Sequence, residues 1–159
     1  MITLQHTDSS NSDFVALVKL LDLELAVRDG DEHAFYSQFN SITTLRHAVL
    51  ATENGVPVAC GAMRAFAPGI MEIKRMYTLP EARGQGIAVQ ILAELEAWAA
   101  ELEYQKCVLE TGVNQPEAIT LYNKCGYRQI PNYGQYSGVG NSLCFEKEIT
   151  PALADSHSP

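Results

Sequence analysis

The sequence is poor in positive charge: 11 Lys and Arg stand against 19 Asp and Glu, a formal net charge of −8. That balance excludes broad nucleic-acid binding, which needs a basic face. It says little in favour of a cationic partner, because an acidic surface is also a common aid to solubility. No apolar run approaches the length of a membrane span. Met1 to Ser12 lacks the basic start and apolar centre of a signal peptide. The default expectation is a cytoplasmic protein with no membrane or nucleic-acid partner. The four cysteines form no Cys-x-x-Cys pair and the four histidines show no metal-ligand spacing, so no metal is expected and His33 and His47 are given no role. Cys60, Cys107 and Cys144 fall in apolar strand-like runs, as buried reduced thiols would. Also missing are the Gly-Lys-Ser or Gly-Lys-Thr of a P-loop and the three spaced glycines of a dinucleotide fold.

What is present is an ordinary globular balance, 47% hydrophobic and 19% charged over 159 residues. It predicts one domain over residues 1–150 with a real core, and a disordered tail from Pro151. Ile2 to Leu4 reads as a short strand. Phe14, Leu17, Val18, Leu21 and Leu25 recur at helical spacing, with Ser12 as cap and Asp29-Gly30 as the stop. Asp31 to Asn40 reads as a second short helix. The period then changes. Ala48 to Thr52, Val56 to Phe66 and Met71 to Thr78 read as strands of an antiparallel meander, divided by Glu53-Asn54-Gly55 and Pro68-Gly69. A helix after Gly86 should bury Ile91, Leu92, Leu95, Trp98 and Leu102. Cys107 to Glu110 reads as a strand. Asn114 can cap a helix that opens at Pro116, buries Ala118, Leu121, Tyr122 and Cys125, and stops at Gly126. Ser142 to Ile149 reads as the last strand.

The most informative stretch is Arg83-Gly84-Gln85-Gly86-Ile87-Ala88, between a strand and a long helix. Glycines at such a junction let the backbone pass close to a ligand. The first helical N–H groups are left free, and with the positive end of the helix dipole they suit a phosphate or pyrophosphate. A nucleotide-bearing cofactor is the natural occupant.

With the second helix ending Leu121-Tyr122-Asn123-Lys124-Cys125-Gly126-Tyr127, the chain resembles a GNAT-family N-acetyltransferase. Arg83 to Ala88 fits the family's Gln/Arg-x-x-Gly-x-Gly/Ala turn at every specified position. Ala118, Leu121, Tyr122 and Gly126-Tyr127 fit its Asn-x-x-Ala-x-x-Leu-Tyr and Gly-Phe pattern. The likeness covers Ala48 to Ile149. The family asparagine falls at Gln115, so either Gln115 or Asn114 stands for the amide that helps hold the cofactor; Asn114 as a plain helix cap is the competing reading.

The resemblance implies a single domain of mixed α/β class. Its central twisted sheet would have about seven mostly antiparallel strands, one splayed parallel pair, and about four flanking helices. It implies acetyl-CoA as cosubstrate, bound between the parallel strands Met71 to Thr78 and Cys107 to Glu110. The backbone of Met76, Tyr77 and Thr78 would line the pantetheine arm. The amides of Arg83, Gly84, Gln85, Gly86, Ile87 and Ala88 would hold the pyrophosphate, with the Arg83 side chain as a further contact. The reaction implied is acetylation of a primary amine, on a small molecule such as an amino acid, by direct attack in a ternary complex. The alternatives are a protein N-terminal or lysine acetyltransferase and a non-catalytic acetyl-CoA-binding module.

An alkyl amine of pKa about 10 is protonated at neutral pH and needs a base before it can attack a thioester. Tyr122 aligns with the family tyrosine that protonates the departing sulfur. Glu72 is the candidate base, two alternations before Met76, so that Glu72, Lys74 and Met76 share a face opposite Arg75 and Tyr77. An ion pair of Glu72 with Lys74 or Arg64 is the competing role. Arg64, Lys74 and Arg75 are candidates for an acceptor carboxylate, with Tyr133 and Tyr136 on a loop able to close over it; ion pairing with Glu72 and Glu146 is the alternative. A homodimer through the last strand near Phe145 is the oligomeric state considered.

Overall fold

A computed structural model describes residues 1–29 and 45–149. Within them the order is β1 (Ile2–Thr7), α1 (Ser12–Asp29), β2 (His47–Glu53), β3 (Val56–Ala67), β4 (Ile70–Thr78), α2 (Ile87–Glu101), β5 (Lys106–Gly112), α3 (Pro116–Lys124), β6 (Arg128–Ile130) and β7 (Ser142–Glu148). One-turn helices lie at Pro80–Ala82 and Gly134–Tyr136. The seven strands hydrogen-bond in the order β1-β2-β3-β4-β5-β7-β6. The one parallel pair is β4 with β5, over Ile70↔Lys106, Met71↔Cys107 and Glu72↔Val108. The expected mixed sheet is therefore present, with three α-helices among the described residues where about four were anticipated. The helix anticipated at Asp31 to Asn40, Gly30 of the anticipated stop, His33 and the tail from Pro151 lie outside the described residues.

The described residues form two compact units, one of residues 1–29 and 45–64 with Lys74–Leu95, the other of Ala65–Ile73 with residues 96–149. In the first, α1 buries Phe14, Leu17, Val18 and Leu21 against Ala48, Leu50, Cys60, Ala62 and Tyr77. Their spacing of three, one and three residues puts these side chains on one stripe. Each such side chain contributes about 1.5–3 kcal/mol by leaving water. The cap of α1 is Asn11, not Ser12: the Phe14 N–H donates to Asn11 Oδ1 at 2.9 Å. Ser12 is already the first helical residue, so the capping place falls one residue earlier. Ile87, Ile91, Leu92 and Leu95 form the buried stripe of α2. Gly61 of β3 lies beneath them, where an added Cβ would meet Met76 Sδ at 2.5 Å and Ile91 Cγ2 at 2.8 Å.

β4 departs from the simple pleat. Arg75 has φ +59°, a left-handed conformation that a side chain resists. A left-handed residue inside a strand is the mark of a bulge, and a bulge resets which side chains share a face. The alternation expected to carry Glu72, Lys74 and Met76 on one side therefore breaks at Arg75.

In the second unit β5 pairs with β7 over its full length, Lys106↔Glu148 to Gly112↔Ser142. β6 covers the other edge of β7 at Cys144, Phe145 and Glu146. Phe145, paired with Gln129 and fully buried, is therefore not open to pairing between chains. Glu146 receives Lys106 at 3.1 Å and Arg128, not the central-strand cations considered above. Glu96, in the last turns of α2, accepts from Tyr127 Oη and from Lys147 Nζ, each at 2.9 Å. Trp98 is half-buried, and Leu102 is 40% exposed rather than core. The helix ends at Glu101, and the chain turns away through Glu103 at φ +69°, which takes Leu102 off the buried stripe.

Candidate functional site

In the first unit, the turn Pro80–Ala82 brings the chain from β4 into the glycine loop, with Arg83 N–H donating to the Pro80 carbonyl at 3.3 Å. Gly84 and Gly86 then take φ +81° and +78°, and a Cβ at either would meet nothing within 4 Å. The glycines are required by backbone conformation, and the space over them is open. Gln90 N–H closes the first α-helical bond on the Gly86 carbonyl at 3.2 Å, which leaves the N–H groups of Ile87, Ala88 and Val89 without intrahelical acceptors. Left-handed glycines, free amides and a 15-residue helix behind them make a cradle that fits a pyrophosphate.

The Arg83 side chain braces this loop. Its Nε donates to the Thr78 carbonyl at 2.9 Å, Nη2 meets Glu24 of α1 at 2.7 Å, and the guanidinium lies 5.6 Å from the Tyr77 ring centre. Tyr77 belongs to the core beneath α1, and burial, with Glu24 nearby, pushes its phenol pKa up. Met76 lies under α2 beside Gly61. Arg75, expected for an acceptor carboxylate, gives Nη2 to Asp22 of α1 at 2.8 Å. Its side chain is 2% exposed and its Nε has no partner. Sequence reasoning missed Asp22 and Glu24, because nothing local in α1 marks them as partners of residues more than fifty positions away.

In the second unit, α3 starts at Pro116 with Gln115 as its cap residue, and the Gln115 side chain makes no capping hydrogen bond. Asn114 stands exposed one residue ahead of that boundary. Tyr122 is buried on α3, with Tyr127 and Phe145 at ring separations of 5.8 and 6.3 Å. Burial, then the charge of Glu110, pushes its pKa up, so the phenol keeps its proton at neutral pH and can give it away. Glu72 is 1% exposed and accepts a hydrogen bond from Tyr133 Oη at 2.7 Å. Tyr133 sits edge-on to Phe66, centroids 4.9 Å apart, and to Tyr136 at 6.0 Å. Burial, then Glu72, raises the Tyr133 pKa; burial, then Glu110 and Glu72, raises that of Tyr136. Of the five acceptor candidates, Tyr133 and Tyr136 are thus gathered with Glu72. Lys74 is buried in β4, and Arg64 is exposed on β3. Phe66, half-exposed, is a member of this group that the sequence did not single out. Burial lifts the neighbouring Cys144 thiol to about 11, so it stays protonated.

No helix of the described residues is long and apolar enough to cross a membrane. Residues 14–127 match the model of the acetyltransferase (GNAT) family. An "IAA acetyltransferase" of Azospirillum brasilense is 35% identical over 102 residues, 64% of this chain and 67% of that protein. An aminoalkylphosphonate N-acetyltransferase of Salmonella typhimurium is 30% identical over 135 residues, 79% of this chain and 84% of its own. Among solved structures, a protein of Klebsiella pneumoniae assigned as an acyl-CoA N-acyltransferase superposes with a TM-score of 0.79 at 28% identity, covering 94% of this chain and 98% of that one.

Proposed function

The chain belongs to the acetyltransferase (GNAT) family and is an acetyl-CoA-dependent N-acetyltransferase, and from that premise we propose that its acceptor is the primary amine of a small molecule, attacking directly in a ternary complex. The open left-handed loop at Gly84 and Gly86, ahead of the free amides of α2, is the observation that carries the donor side. The backbone from Arg83 to Ala88 holds the donor's pyrophosphate, and Arg83 keeps the loop in shape through Thr78 and Glu24. Met76, Tyr77 and Thr78 supply backbone groups along the pantetheine arm, and Asn114 or Gln115 a side-chain amide. Bound acetyl-CoA supplies an activated thioester.

Tyr122 holds a proton at Oη for the departing sulfur. Burial keeps that phenol fully protonated before the reaction and makes it a weaker acid than an exposed tyrosine. Glu72 takes the proton that the amine must lose. A small acceptor is supported by the Salmonella relative, which is named for aminoalkylphosphonates, amines that carry an anionic group. In this chain Arg64, exposed on β3, and Lys74 of β4 are the cations for such a group, Arg75 being enclosed on Asp22.

Calorimetric titration of acetyl-CoA into wild type, Gly86→Ala and Gly86→Glu tests this reading. At φ +78° both variants carry the same backbone strain, about 1–2 kcal/mol, and only glutamate adds bulk and negative charge in the cradle. The expected result is a wild-type Kd of about a micromolar, modest weakening in Gly86→Ala, and no binding by a folded Gly86→Glu. A wild type that does not bind acetyl-CoA would overturn the proposal.

A further inference from the structure

We propose that Tyr133 is a catalytic residue that carries the acceptor's proton to Glu72, an inference that rests on Glu72 being the base of the reaction above. Glu72 is 1% exposed, so a molecule arriving from solvent does not reach its carboxylate directly. A hydrogen-bonded path to it runs through Tyr133, whose hydroxyl donates to Glu72 Oε2 at 2.7 Å while the residue itself stays partly open to solvent. The ring is held in place edge-on by Phe66 at 4.9 Å and by Tyr136 at 6.0 Å, so the hydroxyl is aimed before any substrate arrives. Phe66 is 38% exposed, which puts the open side of the cluster at Phe66 and Tyr133 and the closed side at Glu72.

A phenol is both donor and acceptor, which a relay requires. The N–H bond of the acceptor ammonium breaks and its proton joins Tyr133 Oη. In the same step the Tyr133 O–H bond breaks and that proton joins Glu72 Oε2. The nitrogen keeps its electron pair for attack, Tyr133 ends as it began, and Glu72 ends protonated. Burial and the adjacent carboxylate both oppose a free phenolate at Tyr133, so the two transfers are concerted. Tyr136 and Cys144 act on Tyr133, and Glu110 acts on Tyr136 in turn.

The experiment measures thiol release from acetyl-CoA by the full chain with 2-aminoethylphosphonate, lysine and putrescine as probe amines. Wild type is compared with Tyr133→Phe, Glu72→Gln and the double variant. A serial relay predicts a fall in kcat of about 10²–10⁴-fold in each single variant. The double variant should be no slower than either, with acetyl-CoA affinity and the KM of the amine little changed. Full kcat in Tyr133→Phe beside a slow Glu72→Gln would leave Glu72 as base and overturn the relay. A rise in KM alone in Tyr133→Phe would make Tyr133 a binding contact and equally overturn it. Full activity in both variants, or a wild type that turns over no probe amine, would overturn the base assignment and the relay together. Tyr133→Phe keeps the ring against Phe66, and a melting curve checks its fold. Should it melt below the assay temperature, the wild-type kcat in mixtures of H2O and D2O decides. Two protons in flight give a curved dependence on deuterium content; a straight or flat line overturns the proposal.

Discussion

Gly61→Ala isolates the packing between β3, β4 and α2. Gly61 has an ordinary backbone conformation, so alanine is not resisted by φ; it is resisted by space. The added methyl would sit 2.5 Å from Met76 Sδ, 2.8 Å from Ile91 Cγ2 and 3.0 Å from Leu95 Cδ1. Ile91 and Leu95 are fully buried and cannot swing into water, and half-buried Met76 is the one neighbour with room to yield. Overpacking of this kind costs about 1–3 kcal/mol. The stiffer unfolded chain returns about 0.4–1 kcal/mol to the variant. The net loss is about 1–2 kcal/mol, which for a domain of this length lowers Tm by roughly 2–8 °C. Thermal melting followed by circular dichroism reads the shift. Met76→Ala supplies the internal control: if the clash is real, Gly61→Ala should cost at least about 0.5 kcal/mol less in that background. A Tm for Gly61→Ala equal to or above wild type, or strict additivity with Met76→Ala, would refute the argument.

The Arg75–Asp22 pair sets a buried guanidinium, 2% exposed, against a carboxylate that is 49% exposed. Asp22→Ala leaves the charge with Nη2 as well as Nε unsatisfied and should cost about 1–3 kcal/mol; a Tm loss no larger than that of Asp13→Ala, exposed on the same helix, would show the pair to be incidental. Lys106 above all, and then Arg128, hold the Glu146 carboxyl below the ordinary range against the opposing effect of burial. A depressed folded pKa stabilises above the unfolded value and stops doing so as pH falls through the folded one. Wild type should therefore melt above Glu146→Gln at pH 7, and the gap should close below about pH 4, the ordinary glutamate value. A gap of the same size at about pH 3 would assign the effect to packing rather than charge.

Much of the fold was legible because its signals are local. Asn54-Gly55 and Gly69 take positive φ where the turn residues required it, so the ends of β2, β3 and β4 follow from neighbouring residues. The loop at Gly84 and Gly86 is of the same kind: two backbone positions that only glycine occupies without strain, followed by a helix that begins at Ile87. The stripe on α1 was equally visible, while its cap moved from Ser12 to Asn11, because a helix boundary is set by which amide closes the first turn. Leu102 was misread by extending a helical period beyond Glu101, where α2 ends, whereas Trp98 lies within the helix and is half-buried.

The sequence by itself determined the acyl-CoA family, the strand–loop–helix cradle and the tyrosine that closes the Leu-Tyr run of the second motif, since each is written in residues a few positions apart. Tertiary structure alone decided the partners. It lodged Arg83 on Glu24, turned Arg75 at its bulge towards Asp22, enclosed Phe145 between β5 and β6, and brought Tyr133 to Glu72 across 61 positions. Chain spacing predicts which way a side chain leaves its own helix or strand. Which distant group it meets depends on strand order, on a single left-handed residue that resets the pleat, and on which faces close over each other to exclude water.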